Sequence, residues 1–495
     1  MKINKEEYLD KLRGCFTGKN IGGTMGGPYE GTREILDIKG YKTEKGEPLP
    51  NDDLDLQLVW LAALEDQGPQ HIDSEMLGEY WQSFITPYWS EYGISKINMQ
   101  RGFPPSVAGD MPNNIWKHSN GAWIRTEIWA TLAPGAIDTA VRYSIEDALV
   151  DHGTGEGTEA ARFVAALESA AFFVNDPDTL IDIGLAKIDP KSRIHQTIDL
   201  VRKEYAKGTD YRDVRNQIVE LNKDIGNGWF QAPNNIAFVV IGLLYGEGDF
   251  KKSMITAINC GDDTDCTGAT IGSILGIMKG DKALPKDWKE YIGPRIITCS
   301  INKGLSFRFP LTIDDLVNRV YKQVQYLLNS NYEKIEIVDG ETEICPDFIA
   351  NAKKPFALKD ERDAIRDLVY SYKPNTFKVR CGAVTLVVTY DDGPMAKTGE
   401  DKHLSMMVVN NIKAFGNLGQ TVSLEIITPE NYVCEEAFKE LYAPGWTAMT
   451  PLAYSESTTF TLKVLPAEDT VETILVKVSL PLRGKEYFIP IKFMR

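Results

Sequence analysis

Two short acidic runs are the residues best equipped for chemistry. The first is Asn51-Asp52-Asp53-Leu54-Asp55, just after Pro50, and the second is Gly261-Asp262-Asp263-Thr264-Asp265-Cys266-Thr267. Each opens a stretch with helical periodicity. Asn and Asp are favoured helix caps, and carboxylates in a first turn suit the positive end of the helix dipole, so capping explains part of each run. A cap does not need three carboxylates. Crowded like charges repel unless a cation or a proton joins them. The donors are oxygens without histidine, which suits a hard ion: Mg²⁺, Mn²⁺ or Ca²⁺. The chain has only five histidines, so a His-rich zinc site is not expected.

The elements that must position these runs are helices. Residues 5 to about 330 read as helical. Glu6 to Gly18 carries Leu9, Leu12 and Phe16 at helical spacing, and Asp52 to Asp66 carries Leu54, Leu58, Leu61 and Leu64. Gly157 to Phe173 is alanine-rich on one side, and Ile236–Tyr245 and Ala269–Met278 are apolar enough for burial. Gly14, Gly18, Gly22 and Gly26 are four apart, as are Gly268, Gly272 and Gly276. Each glycine costs a helix about 1 kcal/mol relative to alanine. A row of them on one face predicts two helix backbones in close approach inside a compact domain.

Beyond about residue 370 the texture changes. Residues 384–390, 421–427, 458–464 and 472–478 alternate apolar and polar side chains, are rich in β-branched residues, and have turn formers between them. Short strands at this spacing predict a β-sandwich, Ig-like in character. The expected organisation is a helical domain over 1–340, a linker or docking segment over 341–370, and a β-sandwich domain of open role over 371–495. In that last domain Asp391-Asp392-Gly393 reads as a turn, and Pro444-Gly-Trp446 reads as an anchor at a strand edge.

Composition narrows the function classes. Lys and Arg are outnumbered 54 to 70 by Asp and Glu, for a formal net charge of −16. A chain this acidic repels phosphate backbones, which argues against general nucleic-acid binding. The longest apolar run, Ile236 to Tyr245, falls far short of the about 20 residues a membrane span needs. The start lacks an apolar signal core, and the seven cysteines are scattered with no Cys-x-x-Cys. A cytoplasmic location with reduced cysteines is expected, with no membrane partner.

Five segments then resemble one known family, in its order along the chain. Gly22-Gly-Thr-Met-Gly-Gly-Pro-Tyr-Glu30 resembles the Gly-Asp-Ala-Leu-Gly-x-x-x-Glu opening of the ADP-ribosylglycohydrolase family. Asn51-Asp52-Asp53 resembles its Thr-Asp-Asp, and Gly261-Asp-Asp-Thr-Asp265 its Gly-Gly-Asp-Thr-Asp-Thr. Ser119-Asn120-Gly121-Ala122-Trp-Ile-Arg125 is similar to Gly-Asn-Gly-Ala-x-Met-Arg, and His152 to the family's Thr-His. The resemblance covers residues 10 to 295. It implies an all-α catalytic domain of orthogonal helices with a Mg²⁺ site of one or two ions, Mn²⁺ being the other candidate. It also implies hydrolysis of an N- or O-glycosidic bond at a ribose-type anomeric carbon, foremost an ADP-ribosyl bond. By the same resemblance Asn51, Asp52, Asp53, Asp263 and Asp265 are metal ligands, with Thr264 or Thr267 supplying a hydroxyl. Glu30, Asp53 and Asp263 are the catalytic candidates, and Trp116, Ser119, Asn120, Gly121 and His152 the substrate-binding ones.

That assignment is chemically coherent. Glycoside cleavage passes through an oxocarbenium-like state. A pair of metal ions can grip vicinal hydroxyls and orient a water, and a carboxylate near the anomeric carbon can take that water's proton. The chain also departs from the family pattern. Gly23 stands for an Asp, Asn51 for a Thr and Cys266 for a Thr, and a thiol suits Mg²⁺ poorly. The glycine-rich loop that cradles pyrophosphate is replaced by Asn114-Ile-Trp-Lys-His118, which has no glycine. The expected partner is therefore either an ADP-ribosylated substrate or another small glycoside or nucleoside; a non-catalytic binder on the same fold is the reading from a different class. Of the nearby aromatics, Trp116 and Trp123 are expected to face a ligand, and Tyr80, Trp81, Tyr88 and Trp89 to serve packing.

Overall fold

The computed structural model describes residues 1–302, 309–356, 373–411, 419–445, 455–467 and 471–495. The chain forms two compact units, Met1–Lys96 with Asn114–Ala357, and Ile97–Asn113 with Leu358–Arg495.

The first unit is helical. Its N-terminal helix spans Lys5–Gly26, eight residues beyond Gly18, where the periodic stretch ends. The glycines do not end it because helix Thr264–Lys279 lies directly against them. A Cβ placed on Gly18 would sit 2.0 Å from the carbonyl oxygen of Gly272, and one on Gly22 1.9 Å from that of Gly268. The two backbones touch, so the close approach predicted from the spacing is realised. What the glycines lose in helix propensity is offset by packing at interior density. The contact also fixes the second acidic run against the N-terminal helix, because Asp265 rides on helix Thr264–Lys279.

Helix Asp52–Gln67 begins where Asn51 Oδ1 accepts the Asp53 N–H at 2.8 Å. Leu54, Leu58, Leu61 and Leu64 are all buried. Helices Glu156–Ala171 and Ala232–Tyr245 complete the apolar centre, the latter buried over nearly its whole length. Strand β1 (Lys2–Asn4) pairs in parallel with β2 (Glu336–Val338), tying the N-terminus to residues 336–338. Among the described residues no helix is long and apolar enough to cross a membrane.

The second unit is built on strands β3 (Thr376–Cys381), β4 (Val384–Tyr390), β5 (Asp401–Asn410), β6 (Gln420–Ile427), β7 (Tyr432–Val433), β8 (Phe438–Ala443), β9 (Ser457–Val464), β10 (Val471–Leu480) and β11 (Lys485–Met494). They form two antiparallel sheets, ordered β11-β10-β6-β8 and β3-β4-β5-β9-β7. The four segments expected as strands are β4, β6, β9 and β10. The buried faces meet through Tyr390, whose ring lies edge-on to Phe493 at 5.4 Å and whose hydroxyl donates to the Lys492 carbonyl. Asp391-Asp392-Gly393 does turn: the Gly393 N–H reaches the Tyr390 carbonyl at 3.1 Å, with Gly393 at φ +71°. Residues 97–113 join this unit from within the helical part of the sequence. Ser106 Oγ donates to the Thr376 carbonyl at 2.7 Å, and Phe103, Val107, Ala108 and Met111 are buried. Trp446, and residues 357–370 of the expected linker, lie outside the described residues.

Candidate active site

Six local structures, all in the helical unit, converge on one pocket of about 210 Å³. Glu30 follows a single 3₁₀ turn, Gly27–Tyr29, that ends the N-terminal helix. Asp52 and Asp53 come from the first turn of helix Asp52–Gln67, and Asp263 and Asp265 from the start of helix Thr264–Lys279. The Ser119-Asn120-Gly121 turn forms another wall. Glu91 and Tyr92, near the start of helix Ser90–Gln100, and Phe230, before helix Ala232–Tyr245, complete the lining with Trp89 and Trp116.

The carboxylates fall into two groups. Glu30, Asp263 and Asp265 each offer an oxygen, all within 4.8 Å of one another, and so do the donor atoms of Asp53, Asp265 and Cys266. Asp265 therefore belongs to both groups. Its Oδ1 is buried and accepts no hydrogen bond; Oδ1 of Asp53 accepts none either, but faces the Lys19 ammonium at 3.7 Å. Buried carboxylate oxygens left without a donor are costly unless a cation meets them. The residues present thus fit a metal ion, and the oxygen-dominated donor set favours a hard one. Cys266 is the exception, its Sγ lying 3.6 Å from Asp53 Oδ2. Asp52 is half-buried and accepts the Tyr92 hydroxyl at 3.0 Å. Asp55, the last acid of the first run, turns away: its Oδ2 accepts the backbone N–H groups of Cys299 and Ser300, both at 2.7 Å. The hydroxyls of Thr264 and Thr267 donate to the carbonyls of Gly26 and Thr264.

Crowding raises the acid pKa values. The charge of Asp265, then partial burial, then Asp52 push Glu30 up to about 8. Burial and Asp265 push Asp52 up to about 7. Burial first, then Asp265, raises Asp263 well above the carboxylate range, and burial raises Asp53 against the pull of Lys19. Lys19 is a cation beside this cluster that no sequence signal marked. Its buried ammonium lies 2.6 Å from Glu127 Oε1 and 3.7 Å from Asp53 Oδ1. Gln57 Nε2 closes this network by donating to Glu127 Oε2 at 2.8 Å and to the Asp53 carbonyl at 2.9 Å.

Two departures from the family pattern become one. A Cβ on Gly23 would lie 1.7 Å from Asn51 Nδ2, so the Asn51 side chain fills the space an aspartate at position 23 would need. A further fixed point is Asp262, a non-glycine residue at φ +66°. Its backbone pairs with Thr32 and Gly31 at 2.6 and 2.8 Å, and its carboxylate accepts the Phe230 N–H at 3.1 Å and Asn235 Nδ2 at 3.1 Å. The Glu30 and Phe230 loops are thus pinned through one residue whose backbone strain is retained at the site.

The expected substrate-binding residues divide. Trp116, Ser119, Asn120 and Gly121 line the pocket, with Asn120 Nδ2 donating to Asp263 Oδ2 at 2.6 Å. His152 is fully buried behind the turn, its Nε2 3.1 Å from Ser119 Oγ and its Nδ1 2.9 Å from Asp151 Oδ1. Arg125 supports the same turn from below, donating to the Gly121 carbonyl while paired with Asp147 and Asp151. Trp123 does not face a ligand: it is fully buried and its Nε1 donates to Asn120 Oδ1 at 3.1 Å. Trp89 exchanges roles with it, being 54 % exposed at the pocket. Glu91, Tyr92 and Phe230 are pocket residues that no sequence signal marked.

A profile of the ADP-ribosylglycohydrolase family matches residues 4–325. The chain belongs to that family, and membership supports a glycohydrolase-type function. Among individual proteins it is similar to an uncharacterized protein of Archaeoglobus fulgidus, 24% identical over 307 residues, which span 58% of this chain and 92% of that one. Of solved structures, an ADP-ribosylglycohydrolase-related protein complex aligns with 64% of this chain and 99% of its own, at 20% identity and a TM-score of 0.43. A FixG-related protein from Vibrio parahaemolyticus aligns with 23% of this chain and 97% of its own, at 10% identity and a TM-score of 0.17.

Proposed function

We propose that the helical unit is a Mg²⁺-dependent glycoside hydrolase that cleaves an N- or O-glycosidic bond at a furanose-type anomeric carbon, with Mn²⁺ able to substitute. The observation that carries this reading is the meeting of Glu30 with Asp263 and Asp265 within 4.8 Å at a pocket large enough for a sugar. Asp53, Asp263 and Asp265 hold the metal, with Asp52 alongside, oriented by Tyr92. Bound there, one or two divalent ions supply Lewis acidity toward hydroxyls and water. Glu30, the most exposed acid of the group, reaches the pocket mouth and accepts the proton of the attacking water. Asn120 steadies Asp263 from the opposite wall, and Lys19 fixes Asp53 from beneath. Trp89, Trp116 and Phe230 offer flat faces to a sugar ring and exclude water around it.

Turnover on ADP-ribosyl-arginine, ADP-ribosyl-serine, nucleosides and p-nitrophenyl glycosides, with Mg²⁺ and with EDTA, tests the reading. Hydrolysis of at least one substrate, abolished by EDTA, is expected. Glu30→Gln keeps metal binding and lowers turnover by roughly 10²–10⁴-fold, the usual size of a general-base contribution. Asp265→Ala loses metal affinity and activity together. Absence of turnover across the panel despite metal binding refutes the proposal in favour of a binding role.

A further inference from the structure

The walls of the pocket differ from what a phosphorylated substrate requires. The lining includes five acids, Glu30, Asp52, Glu91, Asp263 and Asp265, and among the described lining residues no lysine or arginine. Even two divalent cations would leave those five carboxylates short of neutrality. Three cations of the helical unit have partners of their own: Lys19 pairs with Glu127 and Asp53, Arg125 with Asp147 and Asp151, and Arg33 lies over the ring of Trp229 at 4.0 Å.

The decisive feature is the turn Ser119-Asn120-Gly121. Backbone N–H groups in a tight turn make a concave cradle for an anion. Here the anion is already present. The Gly121 N–H donates to Glu91 Oε1 at 3.1 Å, and Glu91 is 6 % exposed. A Cβ on Gly121 would lie 2.3 Å from that same oxygen, so the carboxylate is seated hard against the turn. Three further donors of this wall are spent as well. The Ser119 N–H reaches the Trp116 carbonyl at 2.8 Å, the Trp116 N–H reaches Asn114 Oδ1 at 3.2 Å, and Asn120 Nδ2 reaches Asp263. A phosphate approaching this wall meets a buried carboxylate of its own sign.

Size and surface agree. A volume of about 210 Å³ is below the roughly 300 Å³ at which pockets for drug-sized ligands begin. Trp89, Trp116 and Phe230 bring aromatic surface to the lining, which suits an uncharged ring.

We infer that Glu91 serves as a built-in anion on the Ser119–Gly121 turn and selects for an uncharged glycoside, one sugar ring with a compact aglycone, against nucleotide-linked substrates such as ADP-ribose. The inference rests on the hydrolase reading above and names the substrate class of the same pocket.

The test uses matched probes with the full chain in saturating Mg²⁺. p-Nitrophenyl ribofuranoside, in each anomer, is compared with the same compound carrying a 5-phosphate, and both with ADP-ribose. Binding is measured by calorimetry and release of p-nitrophenol in the same samples. The neutral probe is expected to bind at least about tenfold more tightly than either phosphorylated one, since like-charge repulsion at a few ångströms is worth that much or more even in a partly solvated site. Glu91→Gln keeps an acceptor for the Gly121 N–H and removes the charge, so it narrows the gap by improving the phosphorylated probes selectively. Equal or tighter binding of the phosphate or of ADP-ribose by the wild-type chain overturns the inference, as does failure of all three probes to bind. Should Glu91→Gln not fold, the wild-type comparison decides alone. Neutral-probe binding without cleavage of any substrate in the wider panel sinks the hydrolase reading and leaves the selectivity standing, so the two failures are distinct.

Discussion

Replacing Gly18 with alanine tests the backbone contact on which the site is mounted. The new Cβ would lie 2.0 Å from the Gly272 carbonyl oxygen and 2.6 Å from its carbon, where ordinary contact begins at 3.4 Å. The helices must therefore part by more than 1 Å locally. Neither side can yield by rotating a side chain, because both surfaces are backbone. Overpacking of this kind costs about 1–3 kcal/mol, sometimes more, while alanine returns at most about 1 kcal/mol of helix propensity. A net loss of up to about 2 kcal/mol follows after that return, or up to roughly 8 °C in melting temperature for a unit of this size. Gly40→Ala is the control, since nothing lies within 4 Å of its added methyl group and its φ is ordinary. It should change stability by less than about 0.5 kcal/mol. Scanning calorimetry of the three proteins supplies the first readout. The second is Mg²⁺ affinity, which should fall for Gly18→Ala because Asp265 travels with the displaced helix. A Gly18→Ala protein that melts at or above wild type refutes the reasoning, because propensity would then outweigh contact.

Three further outcomes can be measured. Mg²⁺ at about 100 times its dissociation constant should stabilise the chain by about 2.7 kcal/mol, and a calorimetric titration silent at millimolar Mg²⁺ would end the metal reading. Lys19→Met strands Glu127 as a buried unpaired charge and should cost about 3–5 kcal/mol; adding Glu127→Gln should recover most of it, and a single variant as stable as wild type would show the pair to be idle. For pH the sign follows from the raised carboxylates. With metal removed, Glu30 near 8 and Asp52 near 7 favour folding in their protonated forms. Their contribution is complete below the ordinary carboxylate pKa of about 4 and is lost as pH climbs through those values. The melting temperature in EDTA should therefore drop below that in Mg²⁺ by a margin that widens from pH 5 to 8. A margin that shrinks over that interval contradicts the crowding of these acids.

What could be read from the sequence was local. The acidic runs announce themselves because cap, first turn and carboxylates lie within a few residues of one another. The glycine rows announce a packing surface because a period of four on a helix defines a face, and the close contact with helix Thr264–Lys279 follows. Glu91 was invisible because Ser90-Glu91-Tyr92 has no local peculiarity; its role arises only when Gly121, thirty positions away, is folded onto it. Lys19 reads as an ordinary polar position of a helix, and its meeting with Glu127 spans 108 residues. Trp123 and Trp89 exchange roles for a related reason. Proximity to a loop in sequence says nothing about which way a ring points, and Trp123 is drawn inward by its bond to Asn120.

The two-part make-up of the strand unit has a consequence for how the chain is synthesised. Ser106 finds its partner Thr376 across 270 positions. At about 5–20 residues per second, a ribosome needs roughly 15–50 s to supply that partner. Throughout that interval residues 105–108, the buried Val107 among them, have left the exit tunnel without strand β3, which packs against them. The nascent chain must carry this apolar strip as an open debt, guarded by chaperones or by speed. Any gene that stops before the strands are encoded makes the exposure permanent, so the helical unit should be expressed with its C-terminal strands, or with residues 97–113 replaced by a polar loop.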